Sequence, residues 1–278
     1  MTIASAVTEK QFRRIAEVAH RLWGLSLDAR KIHLVSSRMQ RFLRRTPFES
    51  VDAYLEHLDR ADERERLAFF DLLSTNVTSF FRERAAFDFL ERELWTPLAK
   101  GTLTLPGKRI RIWSAACSIG CEPYSLAMHA REHLLDGPEG GGWDLRILGS
   151  DLATSALRTA RDAVYPAPML EHLDGKTVRR FFVPEPGDTP AFRVAEAVRR
   201  LVVLRRINLV GDWPVKGPLD VIFCRNVMIY FDRETRARLV SRLAGLLRPG
   251  GMLVVGSSET LAGIEAGLIP VQPSVYVR

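Results

Sequence analysis

The sequence predicts an α/β protein: a doubly wound, mostly parallel sheet that follows an all-helical N-terminal module and carries a small inserted antiparallel β unit. Three observations predict it. From Arg109 onward, short β-rich runs (RIRIW, LRILGSD, LDVIFC and GMLVVG) alternate with helical stretches, the order that gives parallel strands with helical crossovers. Before Gly101 there is no strand pattern, only apolar residues at helical spacing. One segment, about 179–207, breaks the alternation with β-rich runs around a Pro/Gly turn.

The helical module comes first. Thr8 can cap a helix starting at Glu9, with Phe12, Ile15, Ala16 and Ala19 along one side. A second helix is expected from Asp28 to Arg45, burying Ile32, Val35, Met39 and Phe42 while Lys31, Arg38, Arg41, Arg44 and Arg45 occupy its other faces. A third starts at Ser50 or Val51, and a fourth carries Leu67, Phe70, Leu72 and Leu73. A connecting helix over 84–99 ends at the turn GTLTLPGK. Further helices at 121–135, 153–163 and 233–247 separate the strands. In the inserted unit RRFFVP, AFRVAEAV and LVVLRRI read as three strands, 179–207. The chain divides near residue 75, into 1–75 and 76–278.

Composition narrows the function classes. With 278 residues, 46% apolar and 26% charged, the chain can bury one large or two modest cores. The longest stretch without a charged residue, Ala266–Val277, is 12 residues, against the roughly 20 needed to cross a bilayer. No basic cluster precedes an apolar run at the start, so no secretory leader is expected. Three cysteines form no disulfide framework and suit a reducing compartment; the expected location is the cytoplasm, with no membrane insertion. The net charge is +7, and only six of the 40 basic residues are lysine. Charge is polarised: residues 10–45 sum to +8 and residues 49–71 to −5.

The chemistry concentrates at strand ends. After the first strand, SAACSIGCEPYSLAM supplies small residues that let backbone approach a ligand, then a helix start. The dinucleotide fingerprint G-x-G-x-x-G is absent, and Glu122 sits where a pyrophosphate would meet a carboxylate. A cationic ligand suits it better, such as the α-amino group and sulfonium of S-adenosylmethionine; stabilising the helix N-terminus is the other reading. Asp151 ends the second strand, placed either to accept two ribose hydroxyls or to cap the next helix. Asn208 follows LVVLRRI, and Arg225 and Asn226 follow a buried-looking strand, where they need partners or a ligand. Tyr230 lies four residues further on. In STNVTSFFRE, the polar Asn76, Thr78 and Arg82 interleave with Val77, Phe80 and Phe81. Cys117 and Cys121 lack a second Cys or His pair, so no metal is expected. The histidines show no Ser/His/Asp order.

In order along the chain, TNVTSFFRE, WSAACSIGCEPYSLAM, GSDL, INL, FCRNVMIYFD and LRPGGMLVVGSSETL resemble the CheR-type chemoreceptor glutamate O-methyltransferases. The resemblance spans roughly residues 8–278. It implies a Rossmann-like S-adenosylmethionine methyltransferase domain preceded by a receptor-recognition domain. It implies that Asn76, Thr78, Arg82, Glu122, Asp151, Asn208, Leu209, Arg225 and Asn226 line the cofactor pocket, and that Arg82 and Tyr230 lie near the transferred methyl. The partners implied are glutamate-bearing helices of chemoreceptor cytoplasmic domains. Arg38, Arg41, Arg44 and Arg45 would provide the complementary basic face, and the β unit a site that in some members tethers a receptor C-terminal peptide. One departure is Cys121, where the family commonly has an acidic residue before the Glu. The expected product pair is a glutamyl methyl ester and S-adenosylhomocysteine, from a monomer. A glutamate side chain is already ionised at neutral pH, so no general base is required. Two competing readings are a non-catalytic receptor-binding or cofactor-sensing module and a nucleic-acid methyltransferase. The latter lacks both [D/N]-P-P-[Y/F/W] and a Pro-Cys nucleophile, and no nucleic-acid partner is expected.

Overall fold

A computed structural model describes residues 7–74, 77–138 and 140–278. Helix α1 (Glu9–Trp23) opens with a capping box: the Gln11 N–H donates to the Thr8 hydroxyl (3.2 Å) and the Thr8 N–H to the Gln11 side chain (3.0 Å). Gly24, at φ 69°, ends it. The stretch read as one helix from Asp28 is instead a 3₁₀ turn (Ala29–Lys31) followed by α2 (Ile32–Leu43). The Asp28 carboxylate accepts from the Arg30 N–H at 2.8 Å, which favours the tighter turn. Ser50 caps α3 (Val51–Arg60) and Asp62 caps α4 (Glu63–Leu73). These helices close over their own core, in which Ile15, Ala19, Met39, Leu55 and Phe69 are fully buried.

The connecting helix is α5 (Ala85–Leu90), continued through a π turn (Glu91–Trp95) into α6 (Thr96–Ala99). Strands β1 (Arg109–Ala115), β2 (Asp144–Asp151), β3 (Val164–Pro166), β4 (Phe182–Glu185), β5 (Ala191–Val194), β6 (Val202–Arg206), β7 (Leu219–Cys224), β8 (Leu247–Val255), β9 (Ile269–Gln272) and β10 (Val275–Val277) follow. They are interspersed with α7 (Cys121–Ala130), α8 (Thr154–Asp162), α9 (Gly175–Phe181), α10 (Glu196–Arg199) and α11 (Arg233–Leu246). Seven strands form one sheet in the order β6-β2-β1-β7-β8-β10-β9. The first five of that order run parallel, and β10 is antiparallel to both its neighbours. From β1 the chain moves outward through β2 to β6, then returns to the other side of β1 as β7. The carboxyl ends of β1 and β7 therefore flank the point where strand order reverses, the place such sheets leave a crevice.

The inserted unit is built differently from the sequence reading. Its three strands are β3, β5 and β4, with β5 central and antiparallel to both. Of RRFFVP, the first residues belong to α9 and only Phe182 onward is strand; AFRVAEAV turns into α10 after Val194. LVVLRRI leaves the unit altogether. As β6 it pairs parallel with β2, from Ile147 opposite Val202 to Asp151 opposite Arg206, because its apolar residues complete the edge of the large sheet. The third strand of the unit, VYP, is too short to show a period.

The helical module packs against the carboxyl edge of the sheet through named contacts. The Ser26 N–H donates to the Tyr230 carbonyl at 2.7 Å, and Leu25 forms a β-bridge with Phe231. His20 Nε2 lies 2.6 Å from Asp232, and Glu63 pairs with Arg206 at 2.8 Å. The α8 N-cap position is Ala153, which has no capping side chain. Asp71, at the end of α4, supplies one: its Oδ2 accepts from the Thr154 hydroxyl (3.2 Å) and the Ser155 N–H (3.1 Å).

Candidate functional site

A cleft of about 1120 Å³, its open mouth included, lies at the ends of β1, β2 and β7, roofed by α2 and the segment after α4. Of the residues singled out from sequence, Thr78, Arg82, Glu122, Asp151, Arg225, Asn226 and Tyr230 line it. Asn208 and Leu209 line a smaller adjoining cavity, which shares Leu25, Phe70, Ala116, Asp151 and Val227 with the first. Asn76 lies outside the described residues.

The loop after β1 reaches the cleft by backbone conformations that side chains rarely adopt. Ala116 and Ser118 have φ of 60° and 51°, and Gly120 has φ 90°. A Cβ at Gly120 would also come within 2.8 Å of the Ala160 methyl, so glycine alone lets α7 begin against α8. This turn delivers Glu122 in the first turn of α7. Its carboxylate accepts from the Ser114 hydroxyl (2.7 Å) and from Arg225 Nη1 (3.0 Å).

Arg225 is the hub of the floor. Its side chain is 2% exposed, and it pairs with Glu122 (3.0 Å) and Glu83 (2.9 Å) and donates to the Arg82 carbonyl (2.7 Å). Its Nε has no partner among the described residues. Two carboxylates on one guanidinium leave a formal charge of −1. They respond differently to it. Burial pushes the Glu122 carboxyl up, against the pull of Arg225 and Ser114. Burial acts on Glu83 as well, but Arg225, the Asn226 amide and the Ser257 N–H together hold it below the usual value. Asn226, at φ 59°, is fixed through its N–H, which donates to buried Glu259 at 2.9 Å. Glu259 also accepts from the Gly256 and Ile229 N–H groups. Glu83 and Glu259 were not singled out from sequence, although the FFRE and SSETL segments contain them.

Of the two roles its position suggests, Asp151 takes the one at the start of the next helix, and its second oxygen holds the β1 loop. Oδ1 accepts from the Ala153 N–H (2.8 Å), at the start of α8, while Oδ2 holds the Ser118 N–H (2.7 Å) and so the β1 loop. Burial raises its carboxyl, and those backbone donors counter it. Asn208 binds the helical module through Nδ2 to the Leu22 carbonyl (3.2 Å).

Arg82, 38% exposed in its side chain, donates to the Val77 carbonyl (3.1 Å) and lies 3.8 Å from Glu83. Tyr230 stands across the mouth with Lys31 Nζ 4.6 Å above its ring centroid. The basic face of α2 is only partly as read from sequence. Arg41, Arg44 and Arg45 are exposed, but Arg38 is half-buried and its Nη1 donates to the carbonyls of Leu72, Leu73 and Ser74 at 3.1, 3.1 and 2.7 Å. The last carbonyls of α4 lack helical partners, and Arg38 supplies them.

All three cysteines are buried, and burial pushes their thiols up, that of Cys121 to about 12. None is a nucleophile at neutral pH. Among the described residues, Glu91, His129 and His133 alone have the spacing of a metal site. The Trp95 indole donates to His129 Nδ1 at 2.9 Å, which puts the imidazole proton on Nε2 and leaves no free lone pair for a metal. Burial holds that imidazole neutral, with its pKa down to about 3.

A doubly wound sheet with an antiparallel strand inside its far edge, a cleft at the switch point whose floor is negatively charged and a strand-end acid beside it are the features of an S-adenosylmethionine-dependent methyltransferase. The residues fit that cofactor: the floor bears the net negative charge that a sulfonium and an ammonium require, and Arg225 Nε is a donor with no partner among the described residues. The chain belongs to the CheR methyltransferase family: the family's SAM binding domain matches residues 76–277 and its all-alpha domain residues 10–74. It is similar to chemotaxis protein methyltransferase 2 of Pseudomonas aeruginosa, 41% identical over 273 residues that cover 97% of this chain and 93% of the relative. The chemotaxis protein methyltransferase of Escherichia coli is 34% identical over 268 residues, covering 95% and 89%. That of Borreliella burgdorferi is 32% identical over 274 residues, covering 98% and 95%.

Proposed function

We propose that this protein is a protein-glutamate O-methyltransferase that esterifies glutamate side chains in the cytoplasmic domains of chemoreceptors, with S-adenosylhomocysteine as the other product. One observation carries the choice of nucleophile. Of the acids lining the cleft among the described residues, Glu122 and Asp151 are already engaged by protein donors, and the one lining thiol, Cys117, is buried with its pKa raised. Among the described residues no histidine lines the cleft and both lining carboxylates are engaged, which favours an acceptor that arrives ionised. A glutamate carboxylate does so at pH 7.

The reaction is an in-line displacement. A carboxylate oxygen forms the new bond to the methyl carbon as the methyl–sulfur bond breaks and its electron pair returns to sulfur. Opposite charges cancel in the transition state, so alignment and exclusion of water supply most of the rate. Arg82 orients the incoming carboxylate, held off full neutralisation by neighbouring Glu83. The Tyr230 hydroxyl borders the nucleophile's path. The helical module receives the glutamate-bearing helix, with Arg41, Arg44 and Arg45 supplying its attraction. No helix among the described residues is long and apolar enough to cross a membrane.

Transfer of a labelled methyl group to an unmodified receptor cytoplasmic fragment, followed by mild alkali, tests the reading. Label released as methanol is the expected outcome. Protein-bound label that survives alkali would assign nitrogen or sulfur chemistry and overturn it, and cofactor binding without transfer would favour a binding module.

A further inference from the structure

Lys31 occupies a position that neither the pocket floor nor the exposed arginine face explains. It ends the 3₁₀ turn between α1 and α2, lines the cleft, and holds its ammonium 4.6 Å over the Tyr230 ring. No carboxylate among the described residues lies within 4.0 Å of it, whereas neighbouring Arg30 is paired with Asp28. The turn beneath is fastened to the same target. Ser26 donates to the Tyr230 carbonyl, Leu25 bridges to Phe231, and His20 pairs with Asp232. On its other side the 226–231 turn is held by Glu259 through the Asn226 and Ile229 N–H groups. Leu34 and Val77, both large, apolar and exposed, stand beside Lys31 in the cleft lining and provide an apolar rim.

An ammonium over an aromatic face keeps its charge, and the N–H groups that do not point at the ring stay available to an acceptor. We infer that Lys31 is a positioning residue of the helical module: it recognises the carboxylate of the glutamate to be methylated and fixes the Tyr230 ring beside the methyl-transfer axis. This rests on the proposed carboxylate substrate. Lys31 would contribute to discrimination of glutamate from its uncharged amide, because only the former completes the ammonium's pairing. Arg82 then faces the same carboxylate from the other module, so the acceptor is gripped between the two. Since the carboxylate's charge is lost in the product, the contact with Lys31 weakens on methylation and favours release of the ester.

The test measures affinity for a receptor cytoplasmic fragment with glutamates at the modified positions and for the same fragment with glutamines there, with S-adenosylhomocysteine bound. The chains compared are the unsubstituted protein, Lys31→Met and Lys31→Arg. The unsubstituted protein should prefer the glutamate form. Lys31→Met should shrink that preference about fivefold to tenfold, up to about 1.4 kcal/mol, with S-adenosylhomocysteine affinity within about twofold. Lys31→Arg, which keeps both charge and stacking, should retain the preference. An undiminished preference in Lys31→Met, an equal loss for both fragments, or no preference in the unsubstituted protein overturns the assignment. Failure of the carboxylate reading itself shows separately, as the absence of alkali-labile label with the unsubstituted protein.

Discussion

Replacing Arg225 by methionine removes the one cation that separates two carboxylates beneath the cleft. The side chain is 2% exposed, and its partners Glu122 and Glu83 are 14% and 22% exposed. Methionine fills similar volume without charge, so the effect is that of stranding two acids rather than opening a cavity. Breaking a buried pair by removing one partner costs about 3–5 kcal/mol, and partial exposure of both acids argues for the lower end. At about 2–4 °C per kcal/mol for a chain of this order, the midpoint of thermal unfolding should fall by about 6–12 °C at pH 7. The pH dependence has a definite sign. Glu122 has a folded pKa above its unfolded value, so its contribution is present at low pH and lost as pH rises; without Arg225 that tendency grows. Glu83 is the opposite case, with a lowered folded pKa in the intact protein, so its contribution is present above the unfolded value and lost as pH falls. The Glu122 trend narrows the gap between variant and unsubstituted protein from pH 7 toward pH 5, and loss of the Glu83 contribution narrows it further below the ordinary glutamate value. Unfolding followed by circular dichroism at pH 5, 6 and 7 reads this directly, and Glu83→Gln added to Arg225→Met should recover part of the loss. A gap below about 1 kcal/mol at pH 7, or one that does not change with pH, would refute the reasoning.

Three further outcomes follow from the geometry. Asp151→Asn replaces an acceptor facing the Ser118 or Ala153 N–H with a donor, and should weaken cofactor binding about tenfold, measured by calorimetry; unchanged affinity would remove Asp151 from the site. Reversing Arg41, Arg44 and Arg45 together to Glu should raise the KM for receptor several-fold at low salt, less at high salt, with cofactor affinity intact. The three buried thiols should resist alkylation at pH 8 until the protein is unfolded, and rapid native labelling of Cys121 would contradict its burial.

Much of this was legible from residues in order. Thr8 and Ser50 cap the helices they precede, and the four β-rich runs are strands β1, β2, β7 and β8, because buried parallel strands are rich in apolar and β-branched residues. The strand ends were legible for a related reason: Glu122, Asp151, Arg225 and Asn226 are polar where the pattern demanded apolar residues, and all four line the cleft. Long-range pairing was not legible. Whether LVVLRRI pairs with β5 or with β2 depends on partners far away in sequence, and β-rich composition is the same in both. β9 and β10, in a stretch broken by Pro270 and Pro273, gave no period either. Arg38 illustrates a limit of helical wheels: its position is on the outer face of α2, yet a long guanidinium stem reaches back to the end of α4.

The Asp71 carboxylate that caps α8 gives the chain a property beyond its chemistry. A helix whose first turn is completed by a residue from another module cannot keep that turn when the module melts, and Asp71 itself sits at the end of α4, whose last carbonyls depend on Arg38. Loss of order in either half therefore removes a hydrogen-bond partner from the other. The two family-matched segments are separate in sequence but share hydrogen bonds at this seam, so the start of α8 is complete only when the helical half is docked on it.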